Sequence, residues 1–274
     1  MKAQPMHRLA IVLAACGLLW GCASQKAHIA GARDLFPPEK ITVPPQVHAE
    51  EKPTSGPAWD TGWKQRVISR DELARLNEND PALTPSACCL ILARLNAKAH
   101  YHVSDDIRNG RSLKVPNNFG SYKHWTPMPR NLPRLEGVPK FILVVKDIPF
   151  LGWYAGGRLV RDSYICIGKS GQWTEAGLFT IEEKDANHFS RSYPNSYGQP
   201  AWMPYAMRLY GAVWIHAGDI TGPDCSHGCV TLPLDEAEDL FRWTDAGTAV
   251  LILESLTDLD RDLNRYATHV ISRR

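Results

Sequence analysis

From Val138 onward the chain changes from helix-period to strand-period patterning, and this shift constrains the fold more than any other feature of the sequence. Phe141-Ile142-Leu143-Val144-Val145 is a continuous apolar run of strand length, the pattern of a strand buried on both faces. Phe150 to Tyr154, the pair Gly156-Gly157 and Leu159 to Ile167 read as a hairpin. Leu178 to Ile181, Ala212 to Ile215 and Ala249 to Leu253 add further strands. One helix is convincing, Leu234 to Trp243; Asp235, Glu236, Glu238 and Asp239 sit in its first turns, where the helix dipole favours acids. Many short strands with one or two short helices predict a mainly β domain, a sandwich or barrel, over 137–256, with 257–274 as a C-terminal tail. No internal repeat is visible.

Upstream, residues 63–136 read as a small α-rich module that precedes the β domain. Helical periodicity covers Arg70 to Asn79 and Pro85 to Lys98, with Leu73, Leu76, Leu90, Ile91 and Leu95 at the apolar positions. The stretch from Leu95-Asn96 through the Gly110 turn to Leu113-Lys114-Val115-Pro116 resembles the second half of a degenerate LysM peptidoglycan-binding repeat, without its first half. The alternative is a helical cap packed on the β domain. Residues 23–62 hold Pro37, Pro38, Pro44, Pro45, Pro53 and Pro57 and predict an extended tether. The first 22 residues read as an export signal: Lys2 and Arg8 precede an apolar stretch, Leu9 to Trp20, that is short for a bilayer span. Leu19-Trp20-Gly21-Cys22 resembles a lipobox, which makes Cys22 the expected lipidation site, with Cys16 the alternative; plain secretion and an uncleaved anchor stay open. Ala23 rather than Asp after Cys22 is similar to outer-membrane lipoproteins. The expected location is therefore the cell envelope, periplasmic, with an N-terminal lipid anchor in a membrane.

A chain of 274 residues with 44% hydrophobic content can build one sizeable core and a smaller module. Its net charge is +2, and basic residues are interspersed with acids, so no nucleic-acid surface is expected.

The chemistry concentrates in Trp214 to Pro233. An apolar lead-in delivers His216, a short loop follows, and Ser226-His227-Gly228-Cys229 lies just before the predicted helix. A thiol needs a base or a positive field to act as a nucleophile near neutral pH, and this run supplies two imidazoles and several backbone N–H groups. Other readings of the same residues stay open: a buried apolar Cys229, a core His216, a structural His227. Zinc ligation by His216, Cys225, His227 and Cys229 lacks a regular Cys-x-x-Cys or His-x-x-x-His pair, so neither metal nor cofactor is expected. Beyond Cys22 the cysteines are 88, 89, 166, 225 and 229; with Cys229 free, the others offer pairings that the sequence leaves unassigned.

Taken together, residues 138–254 resemble the L,D-transpeptidase catalytic domain of the YkuD type. The resemblance is carried by Ile215-His216-Ala217-Gly218, Gly222-Pro223 and Ser226-His227-Gly228-Cys229-Val230. It extends to Gly168-Lys169 with Thr174, Gly177 and Phe179, to His188-Phe189-Ser190 with Tyr193, to Met203-Pro204-Tyr205, and to Gly247-Thr248. It implies a cysteine enzyme acting on peptidoglycan stem tetrapeptides through a thioester on Cys229. It implies His216 as base, oriented by the Ala217 carbonyl, and an oxyanion hole among the N–H groups of His227, Gly228 and Cys229. Ser226 would shape the turn, and His188, Tyr193, Trp202 and Tyr205 would line the stem-peptide cleft, with core packing of the two rings beside Met203, Trp202 and Tyr205, as the alternative. The thioester would be resolved by a second stem, giving a 3→3 cross-link, by the amine of an acceptor lipoprotein, or by water. Thr231 departs from the family, where an Arg commonly stands two residues after the Cys. A Thr offers no fork of charged donors, which leaves room for an L,D-carboxypeptidase or a non-catalytic peptidoglycan-binding lipoprotein.

Overall fold

The structure is a computed structural model that describes residues 62–169, 174–195 and 197–271, all within the unit Ser55–Arg274. The expected export signal, Cys16, Cys22 and the tether up to residue 61 lie outside the described residues.

The described chain begins with β1 (Trp63–Arg66), α1 (Arg70–Asn79), α2 (Pro85–Asn96), α3 (His100–Arg108) and β2 (Leu113–Pro116). β1 and β2 pair antiparallel and bracket the helices. Local chemistry sets the helix ends: Ser69 accepts from the Glu72 N–H, and Thr84 accepts from the Ala87 N–H with Pro85 at the start of α2. Helix α2 buries Cys88, Ile91, Leu92, Ala93 and Leu95. Leu90, expected on the apolar face, is 55% exposed, because α2 is apolar on more sides than it can bury. Helix α3 went unforeseen: among its polar residues only Val103 and Ile107 mark an apolar stripe. Leu92, Val103 and Val115 of this segment share one buried cluster with Leu143, Tyr154 and Leu251 of the β domain. Among the described residues the helical segment has no cluster of its own.

The β domain is built from β3 (Phe141–Val145), β4 (Phe150–Ala155), β5 (Arg158–Tyr164), β6 (Ile167–Gly168), β7 (Gly177–Thr180), β8 (Glu183–Pro194), β9 (Pro200–Tyr210), β10 (Val213–Ala217), β11 (Asp224–Ser226), β12 (Val230–Leu232), α4 (Leu234–Trp243) and β13 (Ala249–Leu253). One sheet has the order β5-β4-β3-β13-β7 and the other β12-β10-β9-β8, while β6 and β11 form a short parallel pair. Ile142, Val144, Leu151 and Trp153 of the first sheet meet Met207, Leu209, Ile215 and Val230 of the second, with Ala237 and Leu240 of α4. The fold is mainly β, a sandwich of two mixed sheets. Strand β3 explains its unbroken apolar run: Ile142 and Val144 face the inter-sheet core, while Phe141, Leu143 and Val145 face the cluster shared with the helices.

The β4–β5 turn runs through Gly156 (φ 54°) and Gly157 (φ 71°), and a Cβ on Gly157 would stand 2.3 Å from the Leu132 carbonyl oxygen. The long β8–β9 hairpin was not legible, because β8 is exposed along most of its length and carries no apolar alternation. Residues 257–274, expected as a tail, include helix α5 (Leu259–Ile271).

A disulfide joins Cys166 to Cys225 with a Cα–Cα distance of 5.6 Å; Cys88, Cys89 and Cys229 are free. The cross-link fixes the start of β11 to the residue before β6, across a separation of 59 residues. By loop-closure entropy such a link stabilises a fold by about 4 kcal/mol. Reducing the protein, or replacing Cys166 and Cys225 together by Ser, is expected to lower the denaturant midpoint markedly, measured by urea unfolding against the oxidised chain. An unchanged midpoint would show that the β6–β11 pairing holds without it.

Candidate active site

The site follows from the register of two short parallel strands. Ile215 pairs with Val230, His216 with Thr231 and Ala217 with Leu232. Side chains alternate along a strand. Ile215, Ala217, Val230 and Leu232 all enter the inter-sheet core. Trp214, His216, Cys229 and Thr231 therefore share the opposite face, where all four line one cavity of about 760 Å³. Cys229, just ahead of β12, packs against Met203, Ala206 and Trp214.

The turn that delivers Cys229 is held by its own hydrogen bonds. The Ser226 hydroxyl accepts from the Gly228 N–H at 3.0 Å and donates to the Cys229 carbonyl at 2.6 Å. Gly228 sits at φ 127°, a region open to glycine. Thr174, fully buried, donates to the Gly228 carbonyl at 2.8 Å and accepts from the Gly168 N–H at 3.0 Å. Lys146 Nζ in turn donates to the Thr174 carbonyl at 2.8 Å. Because its N–H is committed to Ser226, Gly228 drops out of the donors expected to stabilise an oxyanion.

His216 Nδ1 lies 2.7 Å from the Ala217 carbonyl. A carbonyl only accepts, so Nδ1 carries the proton and Nε2 carries the lone pair. Burial pushes the imidazole pKa down to about 4; the Ala217 hydrogen bond opposes this, and His188 nearby adds to it. Burial also pushes the Cys229 thiol up, against a smaller opposing effect of the Trp214 backbone. Burial thus favours the neutral form of both the thiol and the imidazole.

The long hairpin forms the facing wall. His188 stacks on Trp214 at 4.1 Å and meets Asp185 at 3.2 Å. Tyr193 stacks on His227 at 4.3 Å, which holds that imidazole against the hairpin. Trp202 also lines the cavity, its indole N–H donating to the Asn187 side-chain carbonyl at 2.7 Å. Tyr205, expected in the cleft, is not part of the cavity lining: it packs against Phe241 of α4 on the inter-sheet side. Its place in β9 sets its direction, two residues before the core-facing Met207. Three residues with no role assigned from sequence matter to the site: Thr174 beneath the turn, Trp214 beside the thiol, and Asp219 on the cavity wall. Trp214 stood two residues before His216, a spacing that already put both on one strand face; Thr174 stood in a motif shared with the family but without a role, and Asp219 carried no local signal.

Residues 139–252 match the family model of the YkuD L,D-transpeptidase catalytic domain. This segment is a YkuD-type L,D-transpeptidase domain. The chain is also similar to solved structures of such proteins. An L,D-transpeptidase from Mycobacterium smegmatis is 20% identical, covering 42% of this chain and 59% of that one, with a TM-score of 0.38. One from Stackebrandtia nassauensis is 24% identical, covering 43% and 56%, with a TM-score of 0.38. The catalytic domain of the E. faecium L,D-transpeptidase, acylated by ertapenem, is 27% identical, covering 42% and 98%, with a TM-score of 0.36. The chain spans less than two thirds of the length of the first two. No curated protein matches the chain.

Within this L,D-transpeptidase domain Thr231 lines the cavity but is only 4% exposed. A Cβ on Gly218 would stand 2.8 Å from the Thr231 methyl, so the two residues are matched in size. The Thr174 network gives a sharper test. Thr174→Val keeps the shape but strands two buried backbone groups, and is expected to cost about 2 kcal/mol of stability. It should also lower turnover, with Thr174→Ser close to wild type. Urea unfolding and turnover on the three proteins check this; equal behaviour of Val and Ser would show that the hydroxyl does not hold the turn.

Proposed function

We propose that the chain is a peptidoglycan L,D-transpeptidase in which Cys229 forms a thioester with the stem tetrapeptide. The observation that carries this reading is the shared face of β10 and β12, which sets His216 and Cys229 into one cavity within an L,D-transpeptidase domain. Cys229 Sγ attacks the carbonyl of the third stem residue while its proton passes to His216 Nε2. The tetrahedral oxyanion falls to the Cys229 N–H, since the Gly228 N–H is held by Ser226. Collapse breaks the bond to the terminal D-alanine, whose amine takes the proton from His216. An amine from a second stem then attacks the thioester, gives its proton to His216 and restores the thiol, leaving a 3→3 cross-link. A protein amine would be joined in the same way.

Hydrolysis of the same thioester is the second reading, favoured by Thr231, which has no charged donors to offer at its position. Attachment to the envelope through Cys22 belongs to this proposal, with the catalytic domain working in the periplasm.

Mass spectrometry of disaccharide-tetrapeptide incubated with the protein tests the reading. A dimer lost in Cys229→Ala supports transfer, and a Cys229-dependent tripeptide without dimer supports hydrolysis. Substrate left intact by wild type overturns both. A second expectation follows from the neutral pair. Since burial holds His216 deprotonated above about 4, kcat/KM should stay high well below the ordinary imidazole range and fall only as the pH nears 4. An acid limb near the solvated imidazole value of about 6.5 would contradict the buried neutral ring.

A further inference from the structure

The cavity wall carries a carboxylate that the chemistry above leaves unused. Asp219 lines the cavity three residues after His216. Its Oδ1 accepts from the Tyr101 hydroxyl at 2.5 Å and meets His102 Nε2 at 2.7 Å. Both partners come from α3, more than a hundred residues earlier in the chain. The Ala99 N–H, just before α3, donates to the Ile220 carbonyl at 2.8 Å and fixes the backbone one residue past Asp219. Burial and Asp219 itself push the Tyr101 phenol up to about 12, so its hydroxyl remains a donor.

This arrangement spends one oxygen of the carboxylate and, among the described residues, leaves the other without a hydrogen bond. The side chain is 55% exposed. Among the described residues no Lys or Arg pairs with it, whereas Glu183, the other carboxylate lining the cavity, pairs with Arg208 at 3.1 Å. A carboxylate oriented on one oxygen and open on the other is a receptor for a donor-only cation, and an ammonium brings three donors.

We propose that Asp219 binds a primary ammonium carried by the stem peptide, with Tyr101 and His102 as positioning residues. This inference rests on the reading of the cavity as the stem-peptide site. It gives the helical segment a part in substrate recognition.

The test measures calorimetric binding to the full chain carrying Cys229→Ala. The ligands are a tetrapeptide with a free side-chain amine at its third residue and the same peptide acetylated there. Asp219→Asn is expected to weaken the free-amine peptide about tenfold and to leave the acetylated one unchanged, by loss of a charge-assisted contact. Tyr101→Phe should give a smaller loss with the same selectivity. Should Asp219→Asn spare binding but, in the chain that keeps Cys229, slow the aminolysis of the preformed thioester by the free amine, the ammonium is the acceptor's and the inference holds. Equal effects on both peptides, or no effect in binding and aminolysis, would overturn it. Selective binding in a chain without Cys229-dependent turnover would sink the proposed function and keep this inference. Turnover indifferent to Asp219 would do the reverse.

Discussion

The parallel pairing of β10 with β12 is the constraint on which the site depends. With Ile215 opposite Val230, strand alternation sends one set of side chains into the core and the other into the cavity. A slip of β10 by one residue against its neighbours would send His216 into the core and lift Ile215 out of it. Burial of Ile215, Ala217, Val230 and Leu232 therefore holds the thiol and the imidazole on one face. The packing that stabilises the sandwich and the geometry that arms the cavity are one arrangement.

Around that register the structure adds fixed polar contacts rather than charge. Ser226 and Thr174 tie down the turn before Cys229, and the Ala217 carbonyl fixes the tautomer of His216. Both reactive groups are partly removed from water, which keeps them neutral.

The cavity is assembled from distant parts of the chain. The hairpin β8–β9 brings His188, Tyr193 and Trp202 to face the nucleophile, and α3 brings Tyr101 and His102 to Asp219. The disulfide between Cys166 and Cys225 ties β11, just ahead of the Cys229 turn, to the residue before β6. Cys229 and His216 come from one short stretch of sequence, while the cavity walls come from segments far from it in the chain.

The sequence by itself determined the elements with strong local patterns. The apolar run at Phe141–Val145, the helix Leu234–Trp243 with its acidic start, the strand Ala249–Leu253 and the pair His216 and Cys229 were all legible, because periodicity, capping and chemistry act over a few residues. The tertiary structure alone decided what depends on contacts between distant residues. It turned Tyr205 toward α4, exposed Leu90, chose Cys166 as the partner of Cys225, set Thr174 under the turn and brought α3 to Asp219. None of these leaves a local mark, since a hydrogen bond or cross-link across 54 or 59 residues is a property of how the sheets and helices pack.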